Sequence, residues 1–369
     1  MKDAMKPASE AELSEMVRAA SGALSLCGGG TRGVAFGAGE VLETSSLSGI
    51  RLYEPGALTL VAGAGTPVAE VEAVLAAQRQ RLAFEVPDMR GVLGRGGVST
   101  LGGVVAVNAC GPRRVQVGSA RDHLIGVRFV DGRGTVVKSG GRVMKNVTGL
   151  DLVKLMAGSH GTLGVISEVA FKLQSMPETE MTLRTQVPLA EGLGLLRQAL
   201  GSPFEVSGAA FGRFGALLRI EGMEASVRYR AQALQDFLGG DWAEVAGRTL
   251  WAIVRDGGGL GEGALWRVSC KPTAAEAVVE ALHGVEHEAT FDWGGGLIWI
   301  AVRGVADGGA SVIRGALAGV GHATLLRGSG AAVFHPEPPG VAALSRALRA
   351  KFDPRAVLNA GIFDQGARG

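Results

Sequence analysis

The residues with the most capacity for chemistry in this chain are clustered glycines, whose main-chain amides can be turned toward a ligand. One cluster is Cys27-Gly28-Gly29-Gly30-Thr31-Arg32-Gly33. A second lies in the run Ser99-Thr100-Leu101-Gly102-Gly103-Val104-Val105-Ala106-Val107-Asn108-Ala109-Cys110-Gly111, and a third in Gly158-Ser159-His160-Gly161-Thr162-Leu163-Gly164-Val165-Ile166. Without a Cβ, positions such as Gly102, Gly103 and Gly111 let the backbone approach a ligand closely and turn N–H groups toward it. A set of such amides suits a pyrophosphate or the edge of a flavin ring. Tight turns between strands would also use glycines, but the density of clusters across residues 94–166 favours a binding role.

Side-chain chemistry is sparser. Gly28, Gly30 and Gly33 form a GxGxxG, but Val34-Ala35-Phe36-Gly37-Ala38-Gly39-Glu40 follows it, with no helical stripe. A Rossmann dinucleotide site needs a long helix there, so that reading fails. Thr31 offers a hydroxyl, either to a ligand or to its own turn. Asn108 is the one strongly polar side chain in an apolar run, and its amide needs a partner, either a flavin heteroatom or a backbone carbonyl. His160 reads as a loop residue rather than a base. His283 and His287 lie four apart, but Gly284 breaks any helix between them, so a structural or solvent role is expected rather than a shared metal. Cys27, Cys110 and Cys270 show no cluster-ligand spacing, so neither zinc nor an iron–sulfur centre is expected in this chain alone. Trp242, Trp251, Trp266, Trp293 and Trp299 read as core or interface residues. Arg113 and Arg114 read as solvated or near a partner.

These loops must be held by regular elements. Residues 9–20 read as an amphipathic helix with Ser9 as cap and Glu12 closing a capping box; Leu13, Met16 and Val17 share one face. Residues 23–26 and 57–62 read as strands. Thr66 is expected to cap a helix with Pro67 at its first position, Glu70 three residues on, and Val68, Val71, Val74 and Leu75 buried. Residues 124–130 and 135–137 read as strands around the turn 131–134. Residues 145–152 lead into a short helix ending at Gly158. A linker is expected at 175–179, around Pro177. Beyond it, strands at 181–187, 216–221, 266–271 and 297–302 alternate with helices at 191–201, 224–238, 273–283 and 309–319. That pattern suggests an α+β unit with an antiparallel sheet. A last helix covers 341–350.

Composition limits the alternatives. With 369 residues and 47% hydrophobic content, the chain can bury sizeable cores. Lys plus Arg (37) nearly balances Asp plus Glu (35), and no basic stripe carries interleaved aromatics, so nucleic acid is not an expected partner. The charged first residues do not resemble a secretory signal, and no uninterrupted apolar run is long enough for a bilayer. A cytoplasmic location is expected, with at most peripheral attachment to the inner face of the cell membrane.

The segments 99–111 and 158–166 resemble the paired signatures of flavoproteins grouped around vanillyl-alcohol oxidase and p-cresol methylhydroxylase. Within that group the chain is most similar to the FAD-binding E subunits of glycolate oxidases. The likeness is strong over roughly 20–175 and returns in Phe352-Asp353-Pro354-Arg355-Ala356-Val357-Leu358-Asn359-Ala360-Gly361. It implies an α+β fold: a two-subdomain FAD-binding domain of the p-cresol methylhydroxylase type over 1–175, a smaller α+β cap with an antiparallel sheet over 176–338, and a C-terminal piece, 339–369, returning to the first domain. It implies that Gly28, Gly29, Gly30, Thr31, Arg32 and Gly33 hold the FAD pyrophosphate. Pro87, Thr100, Leu101, Gly102, Gly103, Ala106, Asn108, Gly111, Gly118 and Arg121 would approach the cofactor; Arg121 and Asp122 could instead be a structural ion pair. The amides of Gly161, Gly164, Val165 and Ile166 would contact the flavin, with Asn359 and Gly361 near its ring. Some relatives bond flavin to a histidine in the first loop; here glycine and threonine stand there, so non-covalent FAD is implied.

The same resemblance implies oxidation of a small 2-hydroxy acid. Self-sufficient relatives carry H-x-G-D-G-N-x-H in the cap, which is missing here, and no Arg–His pair stands out as a carboxylate clamp and base. The expectation is therefore a subunit that works with a larger FAD-binding catalytic subunit and an iron–sulfur subunit to oxidise glycolate. A self-sufficient FAD-dependent dehydrogenase for glycolate or D-lactate is the alternative.

Overall fold

The computed structural model describes residues 4–33, 37–141 and 150–363. The lead-in at 145–149 lies outside the described residues. Helix Glu10–Ala19 starts as its sequence requires: the Ser9 hydroxyl accepts the Glu12 N–H, while the Glu12 carboxylate accepts the N–H of Ala8, one residue before the cap. Leu13 and Val17 bury that helix against Leu24, Leu42, Val130 and Val165.

Strands β1 (Leu24–Cys27) and β2 (Glu40–Glu43) pair in parallel. They sit beside a larger sheet built from β3 (Ile50–Glu54), β4 (Thr59–Gly63), β5 (Gln80–Leu82), β6 (Leu124–Val130), β7 (Val136–Gly140) and β8 (Val165–Ser175). Its order is β3-β4-β8-β6-β7, with β5 on the far end of β8. The β6–β7 hairpin turns at Asp131, whose carboxylate accepts the N–H groups of Arg133 and Thr135. Leu60, Phe129, Val169 and Phe171 pack with helix residues Val68, Val71, Leu75, Leu101 and Val104 to form this unit's core.

After β8 the chain enters a second sheet. It contains β9 (Thr179–Thr185), β10 (Gly208–Gly212), β11 (Gly215–Gly222), β12 (Ala243–Val245), β13 (Ala264–Cys270), β14 (His287–Asp292), β15 (Leu297–Val302) and β16 (Gly321–Arg327). The order is β12-β9-β11-β10-β14-β15-β13-β16, antiparallel throughout. Helices Leu189–Leu200, Glu224–Leu238, Ala275–Glu280 and Ala310–Ala316 cover one face. The pleat sorts the residues: Trp266, Val268, Ile298 and Ile300 face those helices, while Leu297 and Trp299 face the first unit and pack with Cys110 and Trp293. The α+β architecture with an antiparallel second sheet is the one expected.

Buried ion pairs cross between the units. Glu221 lies 2.8 Å from Arg81 and 3.3 Å from Arg113, and Arg219 lies 2.8 Å from Glu85. Arg81, Glu85 and Arg113 come from the first unit; Arg219 and Glu221 come from β11.

Several local expectations are corrected. Thr66 does not cap the helix Val68–Ala76, whose cap position is Pro67. The Thr66 hydroxyl instead donates to the Gly63 carbonyl and accepts the Gly49 N–H, bracing the turn after β4. The apolar run after Ser99 forms a short helix, Leu101–Ala106, packed so closely that a Cβ on Gly102 would come within 2.8 Å of the Ala64 Cβ. Arg113 is buried in the ion cluster rather than solvated. In agreement with the break expected at Gly284, His283 and His287 share no helix; His287 opens β14. Arg121 and Asp122 are not an ion pair: the Asp122 carboxylate accepts the Ser119 N–H and hydroxyl and so caps the helix Ala120–His123.

Candidate cofactor-binding site

The loop after β1 runs against the segment before the helix Leu101–Ala106. The Val98 N–H donates to the Gly29 carbonyl, and a Cβ on Gly29 would lie 1.5 Å from the Val98 carbonyl oxygen. A Cβ on Gly28 would lie 2.6 Å from the Thr100 Oγ1. No side chain larger than glycine's hydrogen fits there, so this wall of the groove is backbone by necessity. Thr100 Oγ1 is itself buried with no hydrogen-bond partner, and so is the Nε of Arg32. A buried polar atom left without a partner costs about 1–3 kcal/mol, which favours a ligand that supplies one. Arg32 donates to the Pro87 carbonyl and the Ser99 hydroxyl, and burial pulls it down to about 10.

Adjoining cavities that share lining residues open around this point. One of about 100 Å³ is lined by Gly28–Gly33, Thr100, Gly103, Ala106, Val107, His160 and Asn359. One of about 70 Å³ adds Gly102, Gly161, Gly164, Val165, Ile166 and Thr44. A third, about 410 Å³, opens between the two units; it shares Arg32, Val107 and His160 with the first and includes Pro87, Asn108, Cys110, Arg114, Arg267, Trp293, Trp299, His322 and Phe334. The backbone cradle, an orphaned hydroxyl and an orphaned guanidinium N–H together fit an anionic dinucleotide cofactor.

The structure thus brings Gly28, Gly29, Gly30, Thr31, Arg32, Gly33, Pro87, Thr100, Gly102, Gly103, Ala106, Asn108, Gly161, Gly164, Val165, Ile166 and Asn359 to three adjoining cavities. Leu101, Gly111, Gly118 and Arg121 do not line these three cavities. Leu101 is core. Gly111 packs against Glu85 and accepts the Trp293 indole N–H. Gly118 adopts φ 86° beside the capping Asp122. Arg121 presents its backbone N–H to Asn108, so the Asn108 carbonyl oxygen is taken by a main-chain donor, neither of the two partners expected. The Asn359 amide is likewise engaged, accepting the Leu26 N–H at 2.7 Å and donating to the His160 carbonyl at 2.8 Å.

His160 was the least expected contributor. It sits in the 158–164 loop at φ 51° and lines all three cavities, with its ring against Phe334 and Phe363. Burial lowers its imidazole to about 4, so it is neutral at ordinary pH. Arg114, Arg267, Ser269, His322 and Thr324 were also missed as lining residues. Arg267 and Ser269 meet His322 and Thr324 through the register of β13 and β16, and Arg114 reaches them from a helix of the first unit, which no local motif signals. Trp293 and Trp299 are buried, as expected, but both also line the cavity.

Comparison with known proteins agrees with this geometry. Residues 3–140 match the family described as an FAD binding domain. The glycolate oxidase subunit GlcE of Escherichia coli (strain K12) is 34% identical over 327 residues, covering 88% of this chain and 87% of that protein. The glycolate oxidase subunit GlcD of Bacillus subtilis (strain 168) is 42% identical over 86 residues, 23% of this chain and 18% of that one. Alkyldihydroxyacetonephosphate synthase superposes with a TM-score of 0.69 at 15% identity, over 96% of this chain and 75% of its own, which shows a shared fold. The resemblance read from the glycine motifs is therefore borne out: the chain belongs to the family of the glycolate oxidase subunit GlcE, with an FAD binding domain at residues 3–140.

Proposed function

We propose that the chain is an FAD-dependent oxidoreductase subunit of a glycolate oxidase, binding FAD non-covalently and converting glycolate to glyoxylate together with a larger flavin subunit and an iron–sulfur subunit. The observation that carries this is that the glycine cradle at 28–33 adjoins the cavity between the two sheet units, the two sharing Arg32, Val107 and His160 as lining residues. The amides of Gly28, Gly29 and Gly30, the Thr100 hydroxyl and the Arg32 guanidinium would hold the pyrophosphate. Gly103, Gly161, Gly164 and Val165 would allow close passage of the rest, leaving the ring end in the larger cavity. Bound flavin would supply the hydride acceptor for the substrate's α-carbon. The chain's own part is to position that acceptor, exclude water with Trp293, Trp299 and Phe334, and keep His160 neutral at the junction. The glycine and threonine of the first loop offer no histidine for a covalent link. The functional division would follow 1–175, 176–338 and 339–369, with the last piece fixing Asn359 and Gly361 beside the cradle.

A subunit role is supported by the helix Pro339–Phe352. None of its residues is buried, yet Val341, Leu344 and Leu348 repeat along one side, with Leu344 68% exposed. Among the described residues no helix is long and apolar enough to cross a membrane, so the proposed location is cytoplasmic or peripheral. The second reading, a self-sufficient dehydrogenase for glycolate or D-lactate, draws support from Arg114, Arg267 and His322 in the cavity.

Anaerobic addition of glycolate to the FAD-loaded protein separates the two. Flavin absorbance that bleaches only when the partner subunits are present supports the subunit reading. Bleaching by the isolated chain would transfer the conclusion to the second.

A further inference from the structure

Residues 87–99 form a strap along one side of the glycine cradle, and the cradle's own cation ties the two ends of that strap. Arg32 donates from Nη1 to the Pro87 carbonyl and from Nη2 to the Ser99 hydroxyl. Near the second end, the Val98 N–H donates to the Gly29 carbonyl at 3.1 Å. Arg32 is 8% exposed, and burial pulls its guanidinium down to about 10 against the opposing charges of Asp88 and Asp256. Between its ends the strap has little packing of its own: no residue of its short helix Arg90–Leu93 is buried. A segment with so few buried contacts keeps its place through the hydrogen bonds at its rim.

Two of those bonds come from the second unit. The Asp88 N–H donates to Asp256 Oδ1 at 2.7 Å, while the Asp88 carboxylate is occupied by Arg90 at 2.7 Å. Further along, Arg327 on β16 donates to the Val92 carbonyl at 3.0 Å and is itself braced by the carbonyls of Gly261 and Gly263. Asp256 is the last residue of the helix Arg248–Asp256. A carboxylate there meets the negative end of the helix dipole and is disfavoured unless other groups hold it. The Asp88 N–H is one such group; the Arg255 side chain is the other, donating from Nε at 2.7 Å and from Nη2 at 2.9 Å. The helix is fixed in turn by Trp251 and Val254, which pack against Ala210 and Leu217 of the second sheet, and by the Trp251 indole N–H, which donates to Thr182 at 2.9 Å. A rigid element of one unit thus reaches the cradle cation of the other through a single peptide group, Pro87-Asp88.

We propose that Asp256 is a positioning residue for the cofactor: it latches the strap to the second unit through the Asp88 N–H, and the latched Pro87 carbonyl holds Arg32 at the cradle. Asp256 lines none of the three cavities described above, so it acts through Pro87 and Arg32 rather than by touching the ligand. The effect rests on the flavin reading above. A guanidinium fork grips a diphosphate well when it is already aimed, and an unlatched strap would leave Arg32 to be ordered again at each binding event, which weakens affinity. Linkage makes the coupling reciprocal: bound FAD should tighten the docking of the two units by the same factor.

The test is the FAD affinity of the full chain, titrated by flavin fluorescence, in Asp256→Ala, Asp256→Asn, Arg32→Met and the double variant of Arg32→Met with Asp256→Ala. Asp256→Ala should weaken FAD binding about 5-fold, the worth of one hydrogen bond. Asp256→Asn keeps an acceptor for the Asp88 N–H and should restore most of that loss. Added to Arg32→Met, Asp256→Ala should cost little more, because the residue through which it acts is already gone. Unchanged affinity in Asp256→Ala, even with a lowered melting temperature, overturns the proposal. So does an asparagine variant no better than the alanine one, or losses that simply add in the double variant. A second measurement needs no FAD and serves if Arg32→Met fails to fold: modification of Arg32 by phenylglyoxal, read by mass spectrometry. Arg32 should react faster in Asp256→Ala than in the parent, and equal rates overturn the latch. A parent protein that takes up no FAD, yet shows that faster reaction in Asp256→Ala, would sink the flavin reading and leave the latch standing.

Discussion

The side-chain amide of Asn359 donates to the His160 carbonyl at 2.8 Å, joining the C-terminal segment to the loop between the helix Leu152–Met156 and β8. The same amide accepts the Leu26 N–H at 2.7 Å, and the Asn359 N–H donates to Leu24. One residue therefore pins two walls of the candidate cofactor cradle to each other. It does so at φ 46°, a conformation asparagine tolerates better than most residues.

Asn359→Ala should cost about 1–3 kcal/mol, because it removes two hydrogen bonds and leaves a partly buried N–H and a partly buried carbonyl without protein partners. Denaturant unfolding of the apoprotein checks the stability loss, and equilibrium dialysis should show weaker FAD retention. Unchanged stability with unchanged FAD binding would mean the pin is not needed.

The orphaned hydroxyl at Thr100 gives a sharper pair of expectations. Thr100→Val removes a buried group that has no protein partner, so the apoprotein should be as stable as before or slightly more so. FAD affinity should fall about 10-fold if that hydroxyl donates to the cofactor. Gly103→Ala should behave alike, since its new Cβ meets only the Thr100 Oγ1 at 3.4 Å and otherwise projects into the cavities. Gly102→Ala should instead destabilise the fold by about 1–3 kcal/mol through its clash with Ala64. Melting curves with and without FAD separate the three variants.

This contrast also explains what the sequence made legible. The cradle is built from contiguous glycines, so local composition announces it. The hairpin at 131–134, the helix Glu224–Leu238 and the strand Leu297–Val302 were readable for the same reason: turn chemistry and periodicity act within a few residues. β10, β12, β14 and β16 were not, because a segment such as Gly208-Ala209-Ala210-Phe211-Gly212 becomes a strand only by pairing with β11 and β14. The inter-unit cavity was illegible for a further reason. Arg114, Arg267 and His322 belong to different elements, and their meeting depends on sheet order and on which pleat face each occupies.

His160 sets an acid limit on stability. In the unfolded chain its imidazole takes up a proton near 6.5; in the folded protein burial delays this to about 4. Between those values the unfolded state binds more protons, so stability should fall as pH drops from about 6.5 to about 4, by no more than about 3 kcal/mol, and level off below for this group. His160→Asn suits the left-handed backbone and removes the titration. Its stability should be flatter with pH across that window than the parent's, read from urea midpoints; parallel slopes would remove His160 as the cause.

A lower acid window belongs to Glu221. Burial alone would raise its carboxyl, but Arg219, Arg113 and Arg81 outweigh that and hold it below the ordinary range. Its stabilisation is therefore complete above about 4.5 and is lost as pH falls through its depressed folded value. Glu221→Gln leaves the largely buried Arg113 and Arg219 short of a counter-charge, and breaking one side of a buried pair costs about 3–5 kcal/mol. Glu85 still reaches Arg219 at 2.8 Å, so the loss should fall mainly on Arg113 and Arg81, both in the first unit. Glu221 itself sits on β11 of the second sheet, so the neutral glutamine should loosen the two units from each other more than it unfolds either. Limited proteolysis should then cut the connection at 176–178 faster in the variant, while each fragment keeps its own protection. If the variant melts as a single unit at a lower temperature with no faster cleavage there, the cluster stabilises the whole fold rather than the alignment of the two walls of the cavity.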